Sequence, residues 1–197
     1  MSRTNRRITE KTEKLVFAAV MTAIVVVLQV MAILTRAVMP AFSINLVLIP
    51  IVIGAAVGGV GVGAWLGFAS GLAVLISGDA AAFIAVNIPG TIITVLAKGL
   101  LSGIAAAAAY KLFEKKNRYV AVFAAAIACP VVNTGVFILG CLVFFMKTIR
   151  EWGVGLGYEN AFAYIFIGMI GINFVIEMAM NMILSPTVIR LLNIKKG

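Results

Sequence analysis

Of 197 residues, 63% are hydrophobic and only 12% charged, where soluble domains carry about 25% charge. With a mean hydropathy of +1.14, the chain reads as an integral membrane protein with no room for a sizeable soluble domain. The net charge of +9 sits in short clusters between apolar runs, which fits membrane orientation and lipid headgroups rather than nucleic acid; the absence of histidine excludes histidine metal sites and histidine general bases.

Residues 1–14 form a basic segment, with Arg3, Arg6, Arg7, Lys11 and Lys14. A first membrane helix is predicted over 15–34. Its apolar run is too long for a cleavable signal and lacks a small-residue cleavage site. Ala19 and Ala23 stand four apart on it, a spacing that lets two helices approach closely. Residues 35–43 form a loop holding Arg36 and Pro40.

Second and third helices are predicted over 44–57 and 61–76, hinged at Gly58–Gly61. Gly63, Gly67 and Gly71 fall on one helical face and predict tight helix packing. A turn over 77–79 carries Asp79, the only acidic residue between Glu13 and Glu114, expected at the outer surface.

The stretch 87–110 is the fourth helix, with Lys98 as its one charge. A charge at mid-membrane costs at least about 2.5–3.5 kcal/mol on insertion scales, so Lys98 should face the protein interior or a wet cavity. Lys111, Lys115, Lys116 and Arg118 close this helix. The fifth is predicted over 119–146, loosened at Pro130, with Asn133 within the next turn. Cys129 and Cys141 share this segment; as a helix, at about 1.5 Å per residue, it holds them too far apart to bond. Residues 147–160 read as the longest polar connection. The sixth helix, over 161–184, carries Asn173, Glu177 and Asn181 in one stripe.

Three basic clusters, at the N-terminus, between helices four and five, and at Arg190, Lys195 and Lys196, fall on one side if there are six crossings. The positive-inside rule then makes both termini cytoplasmic. The expected fold is all-α: a compact bundle of six transmembrane helices over 15–190, flanked by the segment 1–14 and a basic cytoplasmic tail over 191–197.

Lys98, Asn133 and Asn173 fall at similar depth, with Glu177 one turn further. Unpaired polar groups in hydrocarbon cost several kcal/mol, roughly, so these side chains should converge on one another or on a ligand. A Lys98–Glu177 pair that only stabilises the bundle and a ligand site are both open, and one pair can do both. No serine–histidine pair, HExxH motif, Walker loop or level pair of carboxylates is present. The chain is therefore read as a non-enzyme needing no cofactor, a solute-binding or transport protein.

The basic N-terminus leading into Ala19–Ala23, the compact apolar helices, Lys98-Gly99, and PVVNTGVF at Pro130–Phe137 together resemble the substrate-binding S component of energy-coupling factor (ECF) vitamin transporters. The resemblance covers nearly the whole chain. It implies a multi-pass protein of a prokaryotic cell membrane. It also implies a vitamin site between the first loop and helices four to six, with Arg36, Asn45, Asp79, Lys98, Asn133, Asn173 and Glu177 as candidates. Ala19 and Ala23 match the face that contacts the transmembrane coupling subunit, and two ATP-binding subunits would supply the energy. Lys98, joined by Arg36, suits a carboxylate, and Asn133 and Asn173 suit hydroxyl or amide groups. Pantothenate fits that description best among the family's cargoes. Folate, pyridoxine-like compounds, lipoate, cobalamin and riboflavin are the alternatives, and a stand-alone secondary carrier is the competing class. With only two Trp in the chain, large planar rings are less expected.

Overall fold

A computed structural model describes the backbone of residues 3–38 and 46–194, and the side chains of 11–34, 46–171 and 173–186. The helices are α1 (Arg3–Val38), α2 (Leu48–Gly58), α3 (Val60–Ile76), α4 (Ala81–Ile84), α5 (Ile88–Phe113), α6 (Arg118–Gly140), α7 (Met146–Gly155), α8 (Ala161–Ala163) and α9 (Gly171–Ile194). Wider π-helical turns at Cys141–Phe145 and Tyr164–Ile170 join α6 to α7 and α8 to α9.

The helix α5 is the hub. It packs most extensively along α6 and α3, and also against α2. Asn87 starts it by accepting a hydrogen bond from the Gly90 N–H at 2.9 Å, the usual role of an N-cap amide. The α3–α5 seam is backbone against backbone. A methyl group on Gly67 would run into the Gly99 carbonyl, and one on Gly71 would meet the Val95 carbonyl oxygen at 2.9 Å. The expected glycine face of helix three is thus a packing face, and it seats Lys98 beside a backbone that cannot shift sideways.

The main core gathers Val25 of α1, Leu48, Ile51, Val52 and Ala55 of α2, Leu66 of α3, Ala106 and Ala107 of α5, and Ala121, Val122, Ala125 and Cys129 of α6. A second cluster, Cys141, Phe145, Ile149, Ala161 and Ile165, packs the far end of α6 and α7 against the start of the last span.

The expected six transmembrane helices are corrected by these lengths. Among the described residues, four helices are long and apolar enough to cross a membrane: Lys11–Leu34, Ile88–Phe113, Arg118–Gly155 and Ala161–Pro186. The other two apolar helices, α2 with 11 residues and α3 with 17, rise about 16 and 25 Å at about 1.5 Å per residue, short of roughly 30 Å of hydrocarbon. The reason is visible in α2. It touches α1, α3, α5, α6 and α9, and most of its residues are buried. A helix apolar on every side can be a buried core helix rather than a span. Four crossings, like six, leave the three basic clusters of the sequence on one side, so what the lengths correct is the number of spans.

Three further expectations change. The loop expected over 35–43 begins as helix, since α1 runs on to Val38. The polar connection over 147–160 is helical to Gly155, so 118–155 runs on as one element. The last span is interrupted at Gly171, whose φ of +30° and ψ of −130° are not helical.

Candidate functional site

One cavity of about 560 Å³ opens between α1, the turn before α4, α5, α6 and the last span, within the roughly 300–1,000 Å³ usual for small-molecule sites. Each wall follows from helical periodicity. On α5, Val95 and Lys98 stand three apart and share a face; on α6, Asn133, Thr134 and Phe137 span one turn. On α9, Asn173, Phe174 and Glu177 do the same, directly after the break at Gly171. Gly168, Met169 and Ile170 line the cavity from the other side of that break.

Five sequence-predicted residues therefore meet at one void: Asp79, Lys98, Asn133, Asn173 and Glu177. The side chains of Arg36 and Asn45 lie outside the described residues. Asp79, partly exposed, lines the cavity, and its carboxylate accepts a hydrogen bond from Gln29 Nε2 at 2.5 Å. Gln29 is almost fully buried, at 4% exposure, and its amide also reaches Ser77 Oγ at 3.3 Å. The Lys98 ammonium lies 5.3 Å from the centroid of the Phe137 ring, within reach of a cation–π attraction. Asn181, third in the polar stripe, is turned to its own helix and donates to the Glu177 carbonyl at 2.9 Å.

Sequence reasoning missed Gln29 and the aromatic wall. Gln29 had a signal, since it is the one amide in the apolar run of the first helix. The aromatic residues Phe83, Phe137, Tyr164 and Phe174 line the cavity, but in an apolar sequence each reads as a lipid-facing or core residue. Phe83 is further packed edge-on against Phe145 at 5.0 Å and Trp152 at 5.6 Å between ring centroids. Large planar rings are thus better provided for than the tryptophan count suggests.

Ala19 and Ala23 lie on an exposed face of α1, while Val25 and Gln29 of the same helix are buried. Among the described residues, no group of three or more Cys, Asp or Glu side chains is arranged to hold a metal ion.

The cavity is charged, polar and aromatic by turns, a place to hold a small molecule. Comparison with known proteins agrees with that character. No curated protein and no solved structure matches the chain. A family model described as "ECF transporter, substrate-specific component" matches residues 13–189, nearly the whole chain. A membrane-embedded α-helical chain with a single-ligand-sized cavity and that match over its length belongs to the substrate-specific (S) component family of ECF transporters, proteins that hold cargo rather than transform it.

Proposed function

We propose that this chain is the high-affinity vitamin-binding subunit of an ECF-type importer, that its cargo carries a carboxylate, and that the cargo is pantothenate. The observation that carries the reading is Lys98, a cation midway along α5 that lines a cavity of about 560 Å³. In a low-dielectric setting a cation favours an anionic partner far more than in water. Asp79, Asn133, Asn173, Thr134 and Glu177 around it offer groups for hydroxyls and an amide, and the aromatic wall offers an apolar surface for methyl groups. In this reading Arg36, near the end of α1, and Asn45 complete the site. A transmembrane coupling subunit, docked on Ala19 and Ala23, and two ATP-binding subunits complete the transporter in the cell membrane.

A second reading is favoured by the same aromatic wall, Phe83, Phe137, Tyr164 and Phe174. A carboxylated vitamin with a planar ring, such as folate, would stack there.

The test is a binding screen of the purified chain against pantothenate, folate, a pyridoxine-like compound, lipoate, cobalamin and riboflavin, with Lys98→Ala beside the wild type. Nanomolar binding of pantothenate is expected, with a loss of at least tenfold, about 1.4 kcal/mol, in the variant. Preferential binding of folate would select the second reading. Tight binding of an uncharged vitamin, or an unchanged affinity without Lys98, would reduce Lys98 to a structural partner of Glu177.

A further inference from the structure

Residues 146–170 form a packed unit of their own. The helix α7 packs against α8 and the turn Tyr164–Ile170, and neither α7 nor that turn runs closely along α3, α5 or α6. Ile149, Ala161 and Ile165 share a hydrophobic cluster with Cys141 and Phe145, and no residue of 146–170 enters the main core. Inside the unit the fit is tight. A methyl group on Gly153 would stand 3.0 Å from Tyr164 Cβ, and one on Gly168 would meet the Tyr164 ring and Tyr158 Oη. The two tyrosine rings lie 5.2 Å apart. The connection from α7 to α8 is tied back on itself. The Tyr158 N–H donates to the Gly153 carbonyl at 2.9 Å, and Asn160 accepts from the Ala163 N–H at 2.8 Å.

Both ends of this unit are irregular. The helix α6 reaches it through the π-helical turn at Cys141–Phe145, and Phe145, at φ −129° and ψ 4°, is not helical. The unit leaves through a second π-helical turn that ends at Gly171, with φ +30° and ψ −130°. Hinges are a few residues at element ends that absorb backbone rotation, and π-helical turns inside helices often stand at functional positions.

The seam between this unit and the rest of the molecule runs along the cavity edge and is made by side chains. Phe83, a cavity residue, meets Trp152 of α7 edge-on at 5.6 Å between ring centroids. Across the seam, Tyr164, Gly168, Met169 and Ile170 supply cavity wall. Parting ring from ring leaves no hydrogen-bonding group unpaired, unlike pulling apart a backbone ladder. Lys147, Arg150, Glu151 and Glu159 are exposed on the unit. Such charges belong in water or among headgroups rather than in hydrocarbon, which puts the unit at the membrane surface, where it has room to swing.

We infer that 146–170 is a lid. It swings as one body about Cys141–Phe145 and Gly171, parts from Phe83, and takes the Tyr164–Ile170 wall off the cavity to let cargo in and out. The inference rests on the cavity being the cargo site and not on which vitamin fills it. The lid opens one side of the cavity, so its motion exchanges cargo without accumulating it.

The experiment uses the purified full-length chain in two forms. In the first, spin labels are placed on cysteines at Val154, on the lid, and Ile76, at the end of α3, both well exposed. Labels at Ile76 and Leu112, outside the lid, are the control. Cys129 and Cys141 are fully buried and stay unlabelled. Pulsed electron spin resonance should give two distances between Val154 and Ile76 in the empty protein. They should collapse to one with pantothenate, or with whichever vitamin of the panel binds, while the control pair keeps a single distance throughout. In the second form, Phe83→Cys with Trp152→Cys is bridged by a short, reducible bis-methanethiosulfonate linker. Association and dissociation of the vitamin should both be at least tenfold slower than in the same protein after reduction. A single, unchanged distance between Val154 and Ile76 would overturn the lid. So would a control pair that varies as much, or linked protein whose rates stay within twofold of the reduced ones. If the double cysteine variant does not fold or bind, the spin-label distances decide alone. If no vitamin of the panel binds, the cargo assignment fails, and the empty protein still decides: two distances keep the lid and one removes it.

Discussion

At the scale of residues, Lys98 and Phe137 define each other. The ammonium stands 5.3 Å from the ring centroid, and the ring is held in turn by Phe83, edge-on at 5.8 Å. A cation–π contact is worth about 0.5–2 kcal/mol, more where water is excluded. Its use here is to keep a long, flexible side chain aimed into the cavity. Phe137→Leu should therefore weaken binding of a carboxylate-bearing vitamin by that amount. The same substitution on a Lys98→Ala background should do much less. Titration calorimetry on the four proteins of this cycle measures the coupling; a coupling of zero would make Phe137 an independent wall residue. The charged and amide residues that line the cavity were legible as a group, since Lys98, Asn133 and Asn173 are costly in hydrocarbon and fall at similar depth on their helices, with Glu177 one turn further. Phe83, Phe137, Tyr164 and Phe174 were not, because an aromatic residue costs nothing in lipid and carries no sign of which way it faces. Asp79 was readable as a candidate but not in its setting, which depends on a hydrogen bond to Gln29, 50 positions away in sequence.

At the scale of elements, the apolar runs announced helices, and the glycine face of α3 announced tight packing, though not that α5 would be its partner. Length was the weak point. The break at Gly171 rests on a single glycine among many in apolar sequence, and the π-helical turn at Cys141–Phe145 continues a helix that the polar residues after it seemed to end. The short α2 is apolar because α1, α3, α5, α6 and α9 surround it, a reason that hydropathy alone cannot distinguish from lipid contact. α1 shows the opposite case. Leu15, Val16, Val20, Val26, Val27 and Val30 are exposed, and Ala19 and Ala23 lie among these exposed residues. An alanine pair on an outward face lowers the surface locally, so another helix can come close. Ala19→Trp with Ala23→Trp should therefore abolish copurification with the coupling subunit and leave vitamin affinity within about twofold, a change of only a few tenths of a kcal/mol. Copurification of an intact complex by the double variant would reject this face as the docking surface. A parallel fall in vitamin affinity would mean that the pair serves the monomer's own packing.

At the scale of the whole molecule, the question is where transport work comes from. Walls from α1, α5, α6 and the last span enclose one cavity, built to bind. A dissociation constant near 1 nM corresponds to about −12.3 kcal/mol. A protein that holds cargo that tightly gains nothing from a gradient unless some other event makes a second state bind it weakly. That event has to act differently on the two states to shift their balance. No Walker loop is present in the sequence, and a substrate-specific component is one part of a larger machine, so we assign that event to the coupling and ATP-binding partners. The chain reconstituted alone in liposomes should therefore bind its vitamin in a one-to-one ratio and show no accumulation above the external concentration, with or without an imposed proton or sodium gradient. Radiolabelled uptake after rapid filtration measures this, and addition of the partner subunits with internal ATP should convert binding into accumulation. Gradient-driven accumulation by the chain alone would make it a secondary carrier. The second, weakly binding state would then have to lie within this fold, and the interruption at Gly171, between two sets of cavity residues, would be the first place to look for it.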